Sequence, residues 1–339
     1  MSAAAQRHVF VPLDLSAMPA PPPLGAGVCR LQGRSMGTSW TVSFVPAPGV
    51  GEARALGLIE AELALVIAQM SSWEPASQLS RFNAAPAGSW HLLPAAFCEV
   101  LEAALALARD SDGAYDPTAG ALVDLWGFGP QPRRTTAPAC DDIAAALAVS
   151  GWRKLRFDAG QRRARQPGGL RLDLSAIAKG YAVDRVCAAL DAAGVEHYLV
   201  EAGGELRGRG CKPDGMPWWV TIERPPAAGA LPEALIALHG LAIASSGDYR
   251  RGFDSDGRRY AHTLDPRSGW PPRDGPSAVT VVHRSCMQAD GLATALGVLG
   301  VDQGEAYARR HDVAALLVWR DADGRWHERI TPALAALLE

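Results

Sequence analysis

Asp173-Leu174-Ser175-Ala176-Ile177-Ala178-Lys179-Gly180-Tyr181-Ala182-Val183-Asp184 is the stretch around which the fold can be read. An extended run, Leu170-Arg171-Leu172, leads into it, and Ile177, Tyr181, Val183, Val186 and Leu190 form an amphipathic, helical pattern behind it. A carboxylate, a hydroxyl and a lysine are thereby gathered where a strand turns into a helix. Backbone N–H groups and the positive end of the helix dipole favour an anion at such a place. The same residues also suit a capped helix in which Asp173 or Ser175 serves only the backbone. The local pattern leaves both readings open.

Outward from this stretch the chain alternates strand-like and helix-like segments. Arg30 to Phe44 reads as two strands meeting at Ser35-Met36-Gly37-Thr38, and Leu56 to Met70 and Ala96 to Arg109 as helices. His197 to Glu201, Trp218 to Glu223, Leu241 to Asp248 and Ala278 to Val282 read as further strands, and Tyr260 to Gly269 as a hairpin-like segment. Ala289 to Gly300 reads as a helix of small residues. The pattern predicts one α+β domain over residues 30–339, with mixed sheets flanked by helices. Residues 1–29, with Pro19, Pro21, Pro22 and Pro23, read as a tail or a strap across the body.

Composition narrows the function. The 339 residues carry 33 basic and 36 acidic side chains, a formal net charge of -3, which suits no nucleic-acid partner. Arg162, Arg163 and Arg165 beside a Gly-Gly turn read as a solvated loop. The six cysteines form no CxxC pair, and no apolar run is long enough to span a membrane. With no signal segment or lipobox read at the N-terminus, the expected location is cytoplasmic. Zinc spacings, GxGxxG and GxxxxGK[ST] are all missing.

Two polar features remain. Asp290 and Thr294 stand one turn apart on a helix otherwise made of Ala, Gly and Leu. A buried carboxylate and hydroxyl need a partner, and a hard cation such as Mg²⁺ would serve. The alternative is that Thr294 bonds back to its own helix and Asp290 caps it. His262 lies beside an Asp265-Pro266-Arg267 turn, where it is either structural or a general base suited to neutral pH.

Taken in order, these pieces resemble one family, the FAD:protein FMN transferases (the ApbE family). The matching pieces are Met36-Gly37-Thr38; MSSWEPASQLSRFN at 70–83; Tyr115-Asp116-Pro117-Thr118 with LWGFG at 125–129; and the 173–184 stretch. Gly203-Gly204-Glu205, Ser246-Gly247-Asp248-Tyr249, His262 with its Asp-Pro-Arg turn, and Asp290-Gly291-Leu292-Ala293-Thr294 complete the set.

The resemblance implies transfer of the FMN half of FAD to a Ser or Thr hydroxyl of an acceptor protein, through a phosphodiester, with AMP leaving. It further implies Mg²⁺ held by Asp290, Thr294 and the backbone carbonyl of Ala176. Met36, Trp73, Ala114, Tyr115, Asp116, Asp173, Lys179 and Leu264 match FAD-contacting positions. Trp73 departs from a common tyrosine while keeping a stacking face. Two other activities would suit the same residues: an FAD pyrophosphatase releasing FMN and AMP, and a non-catalytic FAD-binding protein.

Overall fold

Alternating burial builds the central layer of the computed structural model, which describes residues 7–229, 231–249, 251–255, 257–273 and 275–338. Eight strands lie side by side in chain order. They are Cys29–Ser35, Thr38–Phe44, Tyr198–Ala202, Glu205–Arg209, Leu241–Gly247, Ala278–His283, Ala314–Arg320 and Trp326–Ile330. Every neighbouring pair is antiparallel.

Successive side chains of a strand point to opposite faces. Ala242, Ala244, Val279, Val281, Ala315 and Leu317 join one core with residues of the helices Glu52–Met70, Ala95–Asp110, Ala178–Ala192 and Cys286–Arg310. Ile243, Val282, Leu316 and Val318, which alternate with them, join a second core on the other face. There they meet a mixed three-stranded sheet of Arg7–Phe10, Glu233–Leu238 and Trp218–Thr221. Phe10 is fully buried in that second core, and its strand runs parallel to Glu233–Leu238. Fully burying one such side chain contributes roughly 1.5–3 kcal/mol, so two dry faces hold the sheet as a rigid central plate. This is a single α+β domain with mixed sheets and flanking helices.

Where sequence and structure part, a tertiary partner decides. The extended run Leu170-Arg171-Leu172 enters no sheet. The Asn83 carboxamide brackets Leu172 instead, donating to its carbonyl at 2.9 Å and accepting its N–H at 2.7 Å. Arg171 forms only an isolated bridge to Ala119. The helix that follows begins at Ala178, with Ile177 as its N-cap, so Asp173 to Ala176 form a loop ahead of it. The hairpin expected over 260–269 lies earlier, as Gly252–Ser255 paired with Arg258–Ala261, and places His262 just past its end. Gly300, at φ 81°, kinks the last long helix, which then resumes to Arg310. Among the described residues no helix is long and apolar enough to cross a membrane.

Candidate functional site

A close helix crossing creates the site. The Ala178–Ala192 and Cys286–Arg310 helices meet at Gly180, where a Cβ would stand 2.2 Å from the Cys286 carbonyl oxygen. Only glycine permits that approach. It brings Asp290 to the first turn of the neighbouring helix, where its Oδ2 accepts the Gly180 N–H at 3.0 Å. Asp290 therefore caps a helix other than its own. Its second oxygen, Oδ1, faces the Lys179 ammonium at 3.8 Å. No hydrogen bond of the Thr294 hydroxyl is found among the described residues, so it does not bond back to its helix.

Lys179 also contacts Glu205, which is 2% exposed. Two buried carboxylates thus share one ammonium, and the cluster carries an excess negative charge. Burial raises the pKa of Glu205 and of Asp290, against the opposing pull of Lys179. Burial pulls Lys179 down, but Asp290 and Glu205 outweigh it and hold the ammonium above its ordinary pKa. Glu205 Oε2 is buried and has no hydrogen-bond partner. The sequence reading missed Glu205 as a site residue. Its only signal was its place after the paired glycines.

Two hairpin turns stand side by side at this end of the sheet. Met36 and Gly37 form one, with φ of 49° and 73°, and Gly203 and Gly204 the other, with φ of 70° and 102°. Gly203 donates its N–H to Ser39 at 3.1 Å, and a Cβ on it would press within 3.0 Å of Thr38. A two-residue hairpin of this kind demands positive φ at both positions, which Met36 adopts at some strain.

The third wall is a loop. Ala114 and Tyr115 are buried, and the Tyr115 hydroxyl has no partner. Burial raises its pKa well above the ordinary value, with Asp290, Asp173 and Asp116 adding to the rise. Asp116 spends both oxygens on structure. It accepts from Thr118 N–H and hydroxyl at 2.8 and 2.7 Å, and from Trp152 N–H at 2.9 Å. Asp173 donates its N–H to the Pro117 carbonyl at 2.8 Å and accepts the Ser175 N–H at 2.7 Å. The bond to Pro117 ties the 114–118 and 173–177 loops together, and the bond from Ser175 closes the second loop on itself. Trp73 stands apart, 62% exposed on a loop closed by the Ser71 hydroxyl, and makes no ring contact to the other candidates.

His262 and Leu264 belong to an aromatic region. Leu264 packs with Trp126, Leu122 and Tyr260. The His262 ring meets Phe128 edge-on at 6.3 Å, and Phe128 meets Phe253 at 6.0 Å. Trp126 is fully buried and donates Nε1–H to the Gly269 carbonyl at 2.9 Å. The Asp-Pro-Arg turn closes on itself, with the Arg267 guanidinium bound to Asp265 at 2.8 and 3.1 Å. Helix Gly120–Leu125 links the two regions, because Gly120 donates to the Arg171 carbonyl at 3.0 Å while Leu122 sits among the aromatics.

The donor set fits a hard cation. Asp290 offers a carboxylate oxygen with no hydrogen-bond donor on it, Thr294 an unbonded hydroxyl, and Ala176 a carbonyl in the loop before the helix. All three are oxygens, and the surplus negative charge of the cluster calls for a positive partner. Among the described residues no group of three or more His, Cys, Asp or Glu stands together as a metal-binding cluster.

Fold and site together define an α+β enzyme that gathers buried charge at a helix crossing, beside an aromatic-lined region. The chain belongs to the ApbE family, whose model matches residues 36–317. An FAD:protein FMN transferase of Vibrio cholerae is 38% identical over 87% of this chain and 88% of its own. That of Haemophilus influenzae is 37% identical over 88% of each. Among solved structures, the apo flavinyl transferase ApbE of Pseudomonas stutzeri superposes with a TM-score of 0.84 at 42% identity, over 92% of this chain and 96% of that one. The Vibrio cholerae flavin transferase ApbE gives 0.85 at 36% identity, over 92% and 100%.

Proposed function

We propose that this enzyme moves the FMN half of FAD onto a Ser or Thr hydroxyl of an acceptor protein and releases AMP. The observation that carries the reading is the buried Lys179, Glu205 and Asp290 cluster at a helix N-terminus, with the Tyr115 hydroxyl unpartnered beside it. A cation beside the two carboxylates, together with an anionic group such as a pyrophosphate accepting from Lys179 and the Tyr115 hydroxyl, would satisfy these groups. The named relatives support flavin as the transferred moiety.

In this reading the acceptor oxygen attacks the flavin-side phosphorus, and the bond from that phosphorus to the AMP oxygen breaks. AMP leaves with the bonding electron pair, and the hydroxyl proton passes to an imidazole nitrogen of His262. An imidazole titrates near neutrality and can hold that proton. Lys179 offsets charge on the pyrophosphate, and Tyr115 donates to it. Met36, Ala114, Asp173 and Leu264 shape the dinucleotide pocket, Asp116 holds its loop, and exposed Trp73 offers a ring face. Mg²⁺, held by Asp290, Thr294 and the Ala176 carbonyl, supplies charge neutralisation at the phosphates when bound. The residues' part is to orient the phosphorus for an in-line approach.

The test is incubation of the enzyme with FAD, Mg²⁺ and a candidate acceptor, followed by mass spectrometry of the acceptor. An added FMN on a Ser or Thr is the expected result. Free FMN and AMP with an unmodified acceptor would make the enzyme a pyrophosphatase, and intact FAD would make it a binding protein.

A further inference from the structure

We propose that Asp184 is a positioning residue for Asp290, the two forming a reciprocal cap that sets the crossing of their helices. The consequence for cation binding rests on the role given to Asp290 above, whereas the lock is read from hydrogen bonds alone. Each helix brings a small residue to the crossing and an aspartate one turn later: Gly180 with Asp184, and Cys286 with Asp290. Asp290 Oδ2 takes the Gly180 N–H. In return, Asp184 Oδ1 takes the N–H of Cys286 and its Oδ2 that of Met287, both at 3.0 Å. The first-turn donors that a helix cannot satisfy by itself are thus satisfied by the neighbouring helix, in both directions.

The two carboxylates differ in what else they hold. Asp184 also accepts Arg207 Nη1 at 2.6 Å and the Ser285 hydroxyl at 2.7 Å, so both of its oxygens carry two donors. Ser285 is itself the N-cap of the Cys286–Arg310 helix, its oxygen accepting the Gln288 N–H at 3.3 Å. Asp290 is held through one oxygen and presents the other toward Lys179. The saturated aspartate fixes the crossing, and the half-held one uses it. With a Cβ's width missing between Gly180 and Cys286, the crossing has no slack, and a shift at one cap displaces the other.

The experiment uses the intact chain and Asp184→Asn, whose amide would set an N–H₂ against N–H donors. Mn²⁺ alone is the probe, its free fraction read by electron paramagnetic resonance without FAD. Hydrogen exchange of the 178–182 amides is followed in parallel. The expected result is roughly tenfold weaker Mn²⁺ binding, the usual scale for groups that orient a metal ligand. Exchange across 178–182, amides to which Asp184 makes no hydrogen bond, should also be about tenfold faster. A merely stabilising Asp184 would lower the Tm and loosen 285–288 while leaving Mn²⁺ affinity and the 178–182 amides as in the wild type, and that outcome overturns the proposal. If Asp184→Asn does not fold, Ser285→Ala removes one donor and should shift both readouts in the same direction by less. A wild type that binds no Mn²⁺ would sink the cation assignment, and hydrogen exchange would still decide the lock.

Discussion

Gln166 and Tyr115 are both buried polar side chains, and the molecule treats them in opposite ways. Gln166 is fully buried beneath the Asn83 and Leu172 join. Its amide donates to the carbonyls of Phe82 and Leu170 at 2.9 and 3.0 Å and accepts the Gly168 N–H at 3.0 Å. The Tyr115 hydroxyl, equally dry, has no partner. Other unbonded buried atoms, Arg171 Nε and Arg224 Nη2 among them, face an opposite charge at 2.7 Å. Gln69 aside, the unmatched side-chain oxygens among the described residues belong to Tyr115 and Glu205, and both groups feel the charge of Asp290. An unpaired buried polar group is costly, so a cluster of them marks a place where a ligand completes the network. Paired groups carry the fold, and unpaired ones carry the chemistry.

Substituting a charged group of this incompletely paired cluster should therefore damage function and spare stability. Asp290→Asn keeps an acceptor for the Gly180 N–H and removes one buried negative charge. FMN transfer should fall by about a hundredfold or more, the scale of losing one group that stabilises transition-state charge. The Tm measured in EDTA should hold or rise, because a carboxylate held against its burial penalty is gone. Near-normal transfer by a folded Asp290→Asn would break the contrast.

The paired side predicts the reverse. Gln166→Leu fits the volume but orphans the Leu170 carbonyl and the Gly168 N–H and takes one donor from the Phe82 carbonyl, a cost of about 3 kcal/mol. Chemical denaturation should show that loss, while transfer at 20 °C stays within about twofold of wild type in the folded fraction. A variant of full stability with impaired transfer would place Gln166 on the wrong side of the comparison.

How much of this could be read beforehand follows the reach of each interaction. The turn at Met36-Gly37, the helix with Asp290 one turn before Thr294, and the strands at 241 and 278 rest on local periodicity, and the sequence displays them. The cap that Asp290 places on Gly180 spans 110 residues, and the Leu172 to Asn83 pairing spans 89. Nothing at position 290 says which helix it will cap. Glu205 reads as a strand residue after two glycines until Lys179 arrives from another element. Likewise, Leu170 to Leu172 have the apolar alternation of a strand, but an amide side chain takes the place a neighbouring strand would fill. Local pattern gives elements, and their polar partners are decided only when the elements pack.

The mildest effect expected concerns His197 and His239, buried groups whose pairing depends on protonation. Their Nδ1 atoms accept the N–H of Cys211 at 3.2 Å and of Gly210 at 3.0 Å, which requires the neutral ring with its proton on Nε2. Burial lowers the pKa of both, against the pull of Glu196 and Asp14, while Arg209 adds to the lowering. The unfolded chain therefore binds more protons than the folded one as pH falls through about 6.5, and stability is lost toward acid. Between pH 7.5 and 5.5 this should cost on the order of 2 °C in Tm. Because Glu205 and Asp290 have raised pKa values, they drive stability the opposite way, so the measurement is a difference. In His239→Asn the amide oxygen stands in for Nδ1 and does not titrate. That variant should lose less Tm on acidification than the wild type. Equal losses in the two proteins would show that this histidine's pairing does not depend on its charge.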